Sequence, residues 1–446
     1  MQTVSQIAKK LRSGQLDAVD LTEQILENIK TSDDQAIFID VLADRARAEA
    51  RASRRRLKAG KPASLLDGVP VGWKDLFDIA GRVTTAGSIV LKSNAPAAAD
   101  AALVDAGKRA GLIAIGTLNM TEFAYSAIGI NPHYGTPRNP HDALLHRSPG
   151  GSSSGSAVVV AKGLLPVAIG TDTGGSIRIP AAFNGVVGYK TSTGRYDMRG
   201  VFPLSRTLDT LGPIAQTVED CVLVDRVLRG TKKTIAKRDV KGMEFIVPAN
   251  VASDDLDEAV QANFEAALLR ISKAGGKIKR KMIPVFEKIF ELLKARGNVL
   301  GPEALHLHWE RVYGPDAAHM DQRVVKRIQM AENMSAVDLL EVLQQRKVMI
   351  AECNALIGDA IVICPTTPHV AMDIKPLAAD MDHFFAANTK TLRNTMIGNF
   401  LDWCGLAIPS GTDSKGMPTS VLLSARHGLD AQLLGSGLSL EHLIRG

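Results

Sequence analysis

The strongest constraint in this sequence is a pair of glycine- and serine-rich loops, residues 148–156 and 170–180, separated by apolar segments at 157–160 and 164–169. A flexible linker would not carry such segments. The order reads as a loop, a helix ending near Gly163, a strand over 166–169 and a second loop. Helix and strand alternating in this way imply an α/β architecture. Upstream, residues 68–74 read as a short strand running into a polar turn at Lys74. Residues 100–110 then read as helix and 112–115 as a strand closed by Gly116 and Thr117. Leu21, Ile25 and Ile29 recur at helical spacing, and a second helix is expected over 41–57. Downstream, 230–242 is a lysine-rich surface connection, 257–356 is dominated by helical sequence, and a strand is expected over 360–364.

Several chemistries can be set aside. A phosphate-binding P-loop closes on Gly-Lys-Ser/Thr, and a dinucleotide fingerprint needs G-x-G-x-x-G; neither loop has either. Residues 151–155 match G-x-S-x-G, but that elbow follows a buried strand, whereas here His146-Arg147-Ser148-Pro149 precedes it. No histidine occurs between His146 and His306 to serve such a serine from nearby. His306-x-His308 lacks a third ligand in a metal pattern, so no metal is expected.

Composition is that of an ordinary globular chain, with 446 residues, 45% hydrophobic and 22% charged. The formal charge of +6 is a weak bias over this length, and the basic run around Arg54, Arg55, Arg56 and Lys58 carries no interleaved aromatics, so direct nucleic-acid binding is not expected. Cys221, Cys353, Cys364 and Cys404 are too scattered for a disulfide framework, and Cys221 and Cys404 sit in core-like sequence. No signal peptide and no bilayer-length apolar run is evident, so a reduced, cytoplasmic protein with no membrane partner is expected.

The segments 68–75, 150–156 and 170–182 together resemble the amidase signature family, and the 24-residue spacing from Ser152 to Ser176 is that family's spacing. The likeness is strong from about residue 65 to 220 and continues weakly through 364–368 and 395–399. It implies an α/β amidase-signature fold, a mixed central β-sheet covered by helices on both faces. It also implies one domain over 1–446, with an N-terminal helical arm (1–60), a catalytic core (65–220), a variable helical region (230–360) and a C-terminal return to the core (360–446). By resemblance, Ser176 is the nucleophile of an amide hydrolysis. Ser152, after a cis peptide from Gly151, relays the proton to Lys74. The backbone N–H groups of Thr173, Gly174, Gly175 and Ser176 form the oxyanion hole, supported by Gly151, Ser153 and an Asp172–Arg178 ion pair. No cofactor is implied. For Lys74 to act as a base it must be neutral. Bringing its pKa from about 10.4 to near 7 needs roughly 4–5 kcal/mol, which burial in apolar sequence such as Val69, Val71, Trp73, Leu76 and Phe77 can supply.

The sequence departs from the family where Lys190-Thr191-Ser192 replaces Lys-Pro-Thr, and where Ser420 and Leu422 stand at positions usually Gly and Gln. Substrate contacts are expected within 119–125, 198–204 and 306–313, with Met120, Tyr125 and Phe202 as the named candidates. The likeness suits a free-standing amidase acting on a small carboxamide or urea-type substrate. Residues 131–135 and 399–402 also resemble small ureide and carboxybiuret-type hydrolases. The alternative is the amidase subunit of a tRNA-dependent amidotransferase. A homodimer or a small accessory subunit is compatible with either.

Overall fold

A computed structural model describes residues 2–446. Eleven strands form a single sheet: β1 (Phe38–Val41), β2 (Pro70–Lys74), β3 (Ile113–Leu118), β4 (Val167–Asp172), β5 (Val187–Lys190), β6 (Thr210–Ala215), β7 (Glu244–Pro248), β8 (Lys277–Lys281), β9 (Ile361–Pro365), β10 (Cys404–Thr412) and β11 (Pro418–Ala425). Their order is β1-β3-β2-β4-β6-β5-β10-β11-β9-β7-β8. The sheet is mixed: β2 runs parallel to β3 and β4, β7 runs parallel to β8 and β9, and the central pairs are antiparallel. Helices flank it, so the expected α/β class and mixed sheet are what the chain adopts.

Burial explains why these segments take these forms. β2, β3, β4 and β6 are buried at every residue, and they read as apolar runs rather than as alternating patterns. The helix Ser154–Ala161 is apolar on all sides and buried over all but its last residue, which suits a helix enclosed by the fold rather than one facing water. β3 continues through Gly116 and Thr117 instead of ending there. A Cβ on Gly116 would lie 2.5 Å from the Asp40 carbonyl of β1, so the glycine permits close strand approach and does not terminate the strand. β4 likewise extends past Ile169 to Asp172, taking in the first residues of the second loop.

The region 257–356 is mostly helical but contains one strand the sequence pattern does not announce. β8 reads Lys-Ile-Lys-Arg-Lys, is largely exposed, and pairs only with β7 at the end of the sheet. Charged side chains on an edge strand discourage pairing with other chains, and their scarcity of apolar positions hides the strand from pattern reading. The main apolar core joins the N-terminal helices to both halves of the sheet. A smaller cluster (Leu76, Met120, Phe123, Leu204, Leu305, Ile328 and neighbours) lies beneath the segments that border the candidate site.

Candidate active site

Lys74 ends β2, and β4 pairs beside it with Gly72 opposite Ala168 and Trp73 opposite Ile169. This register carries Thr171 to the lysine. Lys74 has no solvent exposure, and its Nζ donates to Ser152 Oγ at 2.7 Å and to Thr171 Oγ1 at 2.7 Å. Burial pushes its amine down to about 7, while the charges of Asp209 and Asp172 pull the other way. A lysine base at neutral pH needs a value in that range.

The two loops are stitched together next to Lys74. Ser153 N donates to the Ser176 carbonyl at 3.2 Å, and Ser153 Oγ donates to the Thr171 carbonyl at 3.3 Å. The Gly151–Ser152 peptide is cis. Gly151 N donates to the Ala127 carbonyl at 2.7 Å, and Thr121 N to the Ser152 carbonyl at 3.1 Å, so the first loop is held from both sides. Ser176 is 6% exposed and lines a cavity of about 690 Å³, a volume that includes its open mouth. Thr173 and Gly174 line the same cavity. The main-chain N–H groups of Gly174, Gly175 and Ser176 have no hydrogen-bond acceptor among the described residues. Gly175 has φ 138°, and a Cβ there would collide with Thr395 Oγ1, so only glycine suits this turn. Thr395 Oγ1 in turn donates to the Gly174 carbonyl at 2.7 Å, fixing the peptide from the outside.

Behind the second loop, Arg178 Nε and Nη2 donate to Asp172 at 3.0 and 2.9 Å. The same carboxylate accepts from Ile177 N at 3.1 Å and from Asn399 Nδ2 at 2.9 Å. Burial alone would raise the Asp172 carboxyl; the Arg178 charge and hydrogen bonds, with Lys190 and Asn399, outweigh it and hold the group well below the usual carboxylate range. Lys190, also buried, donates to the Thr191 and Trp403 carbonyls at 3.0 and 2.8 Å, and burial followed by the Arg178 charge brings it down to about 8. Asp209 accepts from Thr173 Oγ1 at 2.6 Å and from the N–H groups of Leu204 and Ser205. Desolvation moves it up to about 6 against those bonds and against the Lys74 charge.

Of the residues singled out in the sequence, Lys74, Gly151, Ser152, Ser153, Asp172, Thr173, Gly174, Gly175, Ser176 and Arg178 are brought together. The three substrate candidates divide. Tyr125 lines the cavity, whereas Met120 and Phe202 do not. Met120 is fully buried in the cluster behind the cavity wall, and Phe202 packs on Phe123 at 6.1 Å between ring centroids. The window 306–313 contributes nothing to the lining either. His308 is buried with its ring 4.2 Å from that of Phe123, while His306 is exposed on the same helix, so the two imidazoles share no face. All four cysteines are buried and unpaired, and no helix among the described residues is long and apolar enough to cross a membrane.

Thr171, Asp209, Arg327 and Arg346 have no individual signal in the sequence, and Thr395 and Asn399 enter it only as members of similar segments, 395–399 and, for Asn399, 399–402. Thr171 lay inside the second loop, where its side chain gave no signal until strand pairing placed it on Lys74. The two arginines sit on helices rich in ordinary charged residues and are distinguished only by which way they point.

A family model described as Amidase matches residues 20–434. The chain is 34% identical over 409 residues to the 2-amino-5-chloromuconic acid deaminase of Comamonas testosteroni, covering 90% of this chain and 87% of that protein. It is 30% identical over 488 residues to one of the subunits that make up the glutamyl-tRNA(Gln) amidotransferase of Halorhodospira halophila, covering 98% and 96%. Among solved structures, a chain from a vestigial protein complex bearing on the origins of an s-triazine catabolic enzyme superposes with a TM-score of 0.87 at 29% identity, over 99% of this chain and 98% of that one. The protein belongs to the amidase family, enzymes that hydrolyse carbon–nitrogen bonds of linear amides.

Proposed function

We propose that this chain is a self-sufficient amidohydrolase acting on a small carboxamide or urea-type substrate, with Ser176 as nucleophile and Lys74, through Ser152, as its base. The observation that carries this reading is the fully buried Lys74 amine, 2.7 Å from Ser152 Oγ and brought down to about 7. A neutral amine offers a lone pair, which a solvated lysine at neutral pH does not.

Ser176 Oγ attacks the carbonyl carbon as its proton passes to Ser152 Oγ and the Ser152 proton passes to Lys74 Nζ. Negative charge then gathers on the former carbonyl oxygen, where the N–H groups of Thr173, Gly174, Gly175 and Ser176 form a preorganised donor set. Collapse breaks the C–N bond. The leaving nitrogen takes the proton back from Lys74 through Ser152, and the acyl group stays on Ser176 as an ester. Water repeats the sequence, releasing the carboxylic acid and restoring the serine. Lysine, the two serines and the backbone amides, with the hydrolytic water as the source of the proton that restores Ser176, supply what this scheme needs. Asp172 and Arg178 shape the loop without touching the substrate.

The similarity to amidotransferase subunits over nearly the full length supports a second reading, a glutaminase-type subunit that works with a partner. Ammonia release by the purified chain alone, across aliphatic amides, diamides, ureides and glutamine, separates the two. Turnover of a small amide or ureide, lost by about 10⁴–10⁶ in Ser176→Ala, is expected. Silence until a partner chain is added, and then cleavage of glutamine only, would replace the first reading by the second.

A further inference from the structure

The cavity that holds Ser176 also holds two arginines, Arg327 and Arg346, and its lining contains no aspartate or glutamate. Each guanidinium is anchored to main chain rather than to an acid. Arg327 Nη1 donates to the Tyr125 carbonyl at 2.9 Å and its guanidinium lies 4.6 Å from the centre of the Tyr125 ring. Arg346 Nε donates to the Phe400 carbonyl at 2.7 Å. Neither has a carboxylate within ion-pair distance among the described residues. Asp402 and Glu303 lie within electrostatic reach of Arg346, but Asp402 is bonded to Thr193 and paired with His427, and Glu303 is bonded to Ser205 and Thr207.

Much of the remaining wall is apolar, with Leu204, Leu293, Val299, Leu392 and Met396, and its other polar side chains, such as Ser126, Asn298 and Asn399, are neutral. A guanidinium with no carboxylate in direct contact is poorly compensated in such surroundings, and desolvation lowers the proton affinity of both groups. Arg346 Nη2 also donates to the Asn399 carbonyl at 3.4 Å, but each group has N–H groups left over once its carbonyl anchors are made, and a guanidinium fork suits a carboxylate better than any neutral group. We infer that Arg327 and Arg346 form a carboxylate-binding subsite, and that the substrate is an anionic amide of the type formed by the monoamide of a short dicarboxylic acid. This rests on the hydrolase reading above and narrows it. It also separates that reading from glutamine hydrolysis: a zwitterion brings an ammonium group, and the lining offers no acidic side chain to receive it.

The test uses the full chain. Succinate and adipate, as unreactive probes, are titrated calorimetrically into Ser176→Ala, and into the same protein carrying Arg327→Gln or Arg346→Gln. In parallel, the wild-type enzyme is assayed on succinamate and on neutral succinamide, a comparison that needs no variant to fold. At least one diacid is expected to bind, and each arginine substitution to weaken it by roughly 10- to 100-fold, the size of a charge-assisted hydrogen bond. The wild type is expected to favour the anionic amide in kcat/KM by a similar factor. Absence of diacid binding, affinity unchanged in both arginine variants, or equal turnover of the neutral and anionic amides would each overturn the subsite. Diacid binding that depends on the arginines, with no amide hydrolysed, would retain the subsite and sink the hydrolase reading. Brisk hydrolysis without anion preference would do the reverse.

Discussion

Lys74 shows how far a single residue's chemistry depends on water being kept away from it. A lysine at the end of a strand is ordinarily solvated and protonated; here burial brings the amine down to about 7. The proposed base is the neutral form, which is lost as pH falls through that value. We therefore expect kcat/KM to fall about tenfold per pH unit below about 7 and to level off above it, as a pH–rate profile would record. Thr171 gives this behaviour a second handle, since its hydroxyl accepts a hydrogen bond from the lysine at 2.7 Å. That bond favours the protonated amine. In Thr171→Val the acid limb should move to lower pH, and kcat should drop by roughly 10- to 100-fold as the amine loses one of its two restraints. A variant with an unmoved limb and undiminished kcat would remove Thr171 from the site.

The segment from β4 through the second loop to the helix Arg178–Phe183 works as one element, and Asp172 is its fastener. That carboxylate binds the loop's main chain at Ile177, the Arg178 side chain and Asn399 from the distant helix Met381–Phe400. Removing one partner of a buried pair leaves the other charged without compensation, at a cost of about 3–5 kcal/mol. Arg178→Met should lower stability by that amount in urea unfolding, with activity lost as the loop loosens. If its stability matched wild type, the ion pair would not be what holds the loop. Gly175→Ala tests the loop differently. Its Cβ would collide with Thr395 Oγ1 at a backbone angle that side chains rarely adopt, so kcat should fall by at least about 100-fold while the circular dichroism spectrum is retained.

Across the whole molecule, the chain's last strands occupy the sheet's interior. β10 and β11 lie between β5 and β9, and the later strands bridge β1–β6 to β7 and β8. A fragment ending at residue 357 would expose both broken edges and the apolar faces they cover, so it should show no cooperative thermal transition. A folded fragment would mean that the early strands form an independent unit. This closure decided what the sequence could disclose. The loops around Ser152 and Ser176, the Lys74 strand and the helix between the loops were legible because local requirements fix their residues: glycine for close approach, apolar runs for burial, a lysine inside apolar sequence. The charged edge strand β8 was not, because its pairing with β7 comes from neighbours 33 residues away along the chain and leaves no apolar pattern. Met120 and Phe202 look like pocket residues in sequence yet pack behind the wall, while Arg327 and Arg346 look like surface charges yet face the chamber. Short local segments, read together through their resemblance to the amidase signature, singled out the proposed reacting groups. Only the tertiary structure decided what surrounds them, since which face of a helix meets the cavity depends on contacts made by parts of the chain far away in sequence.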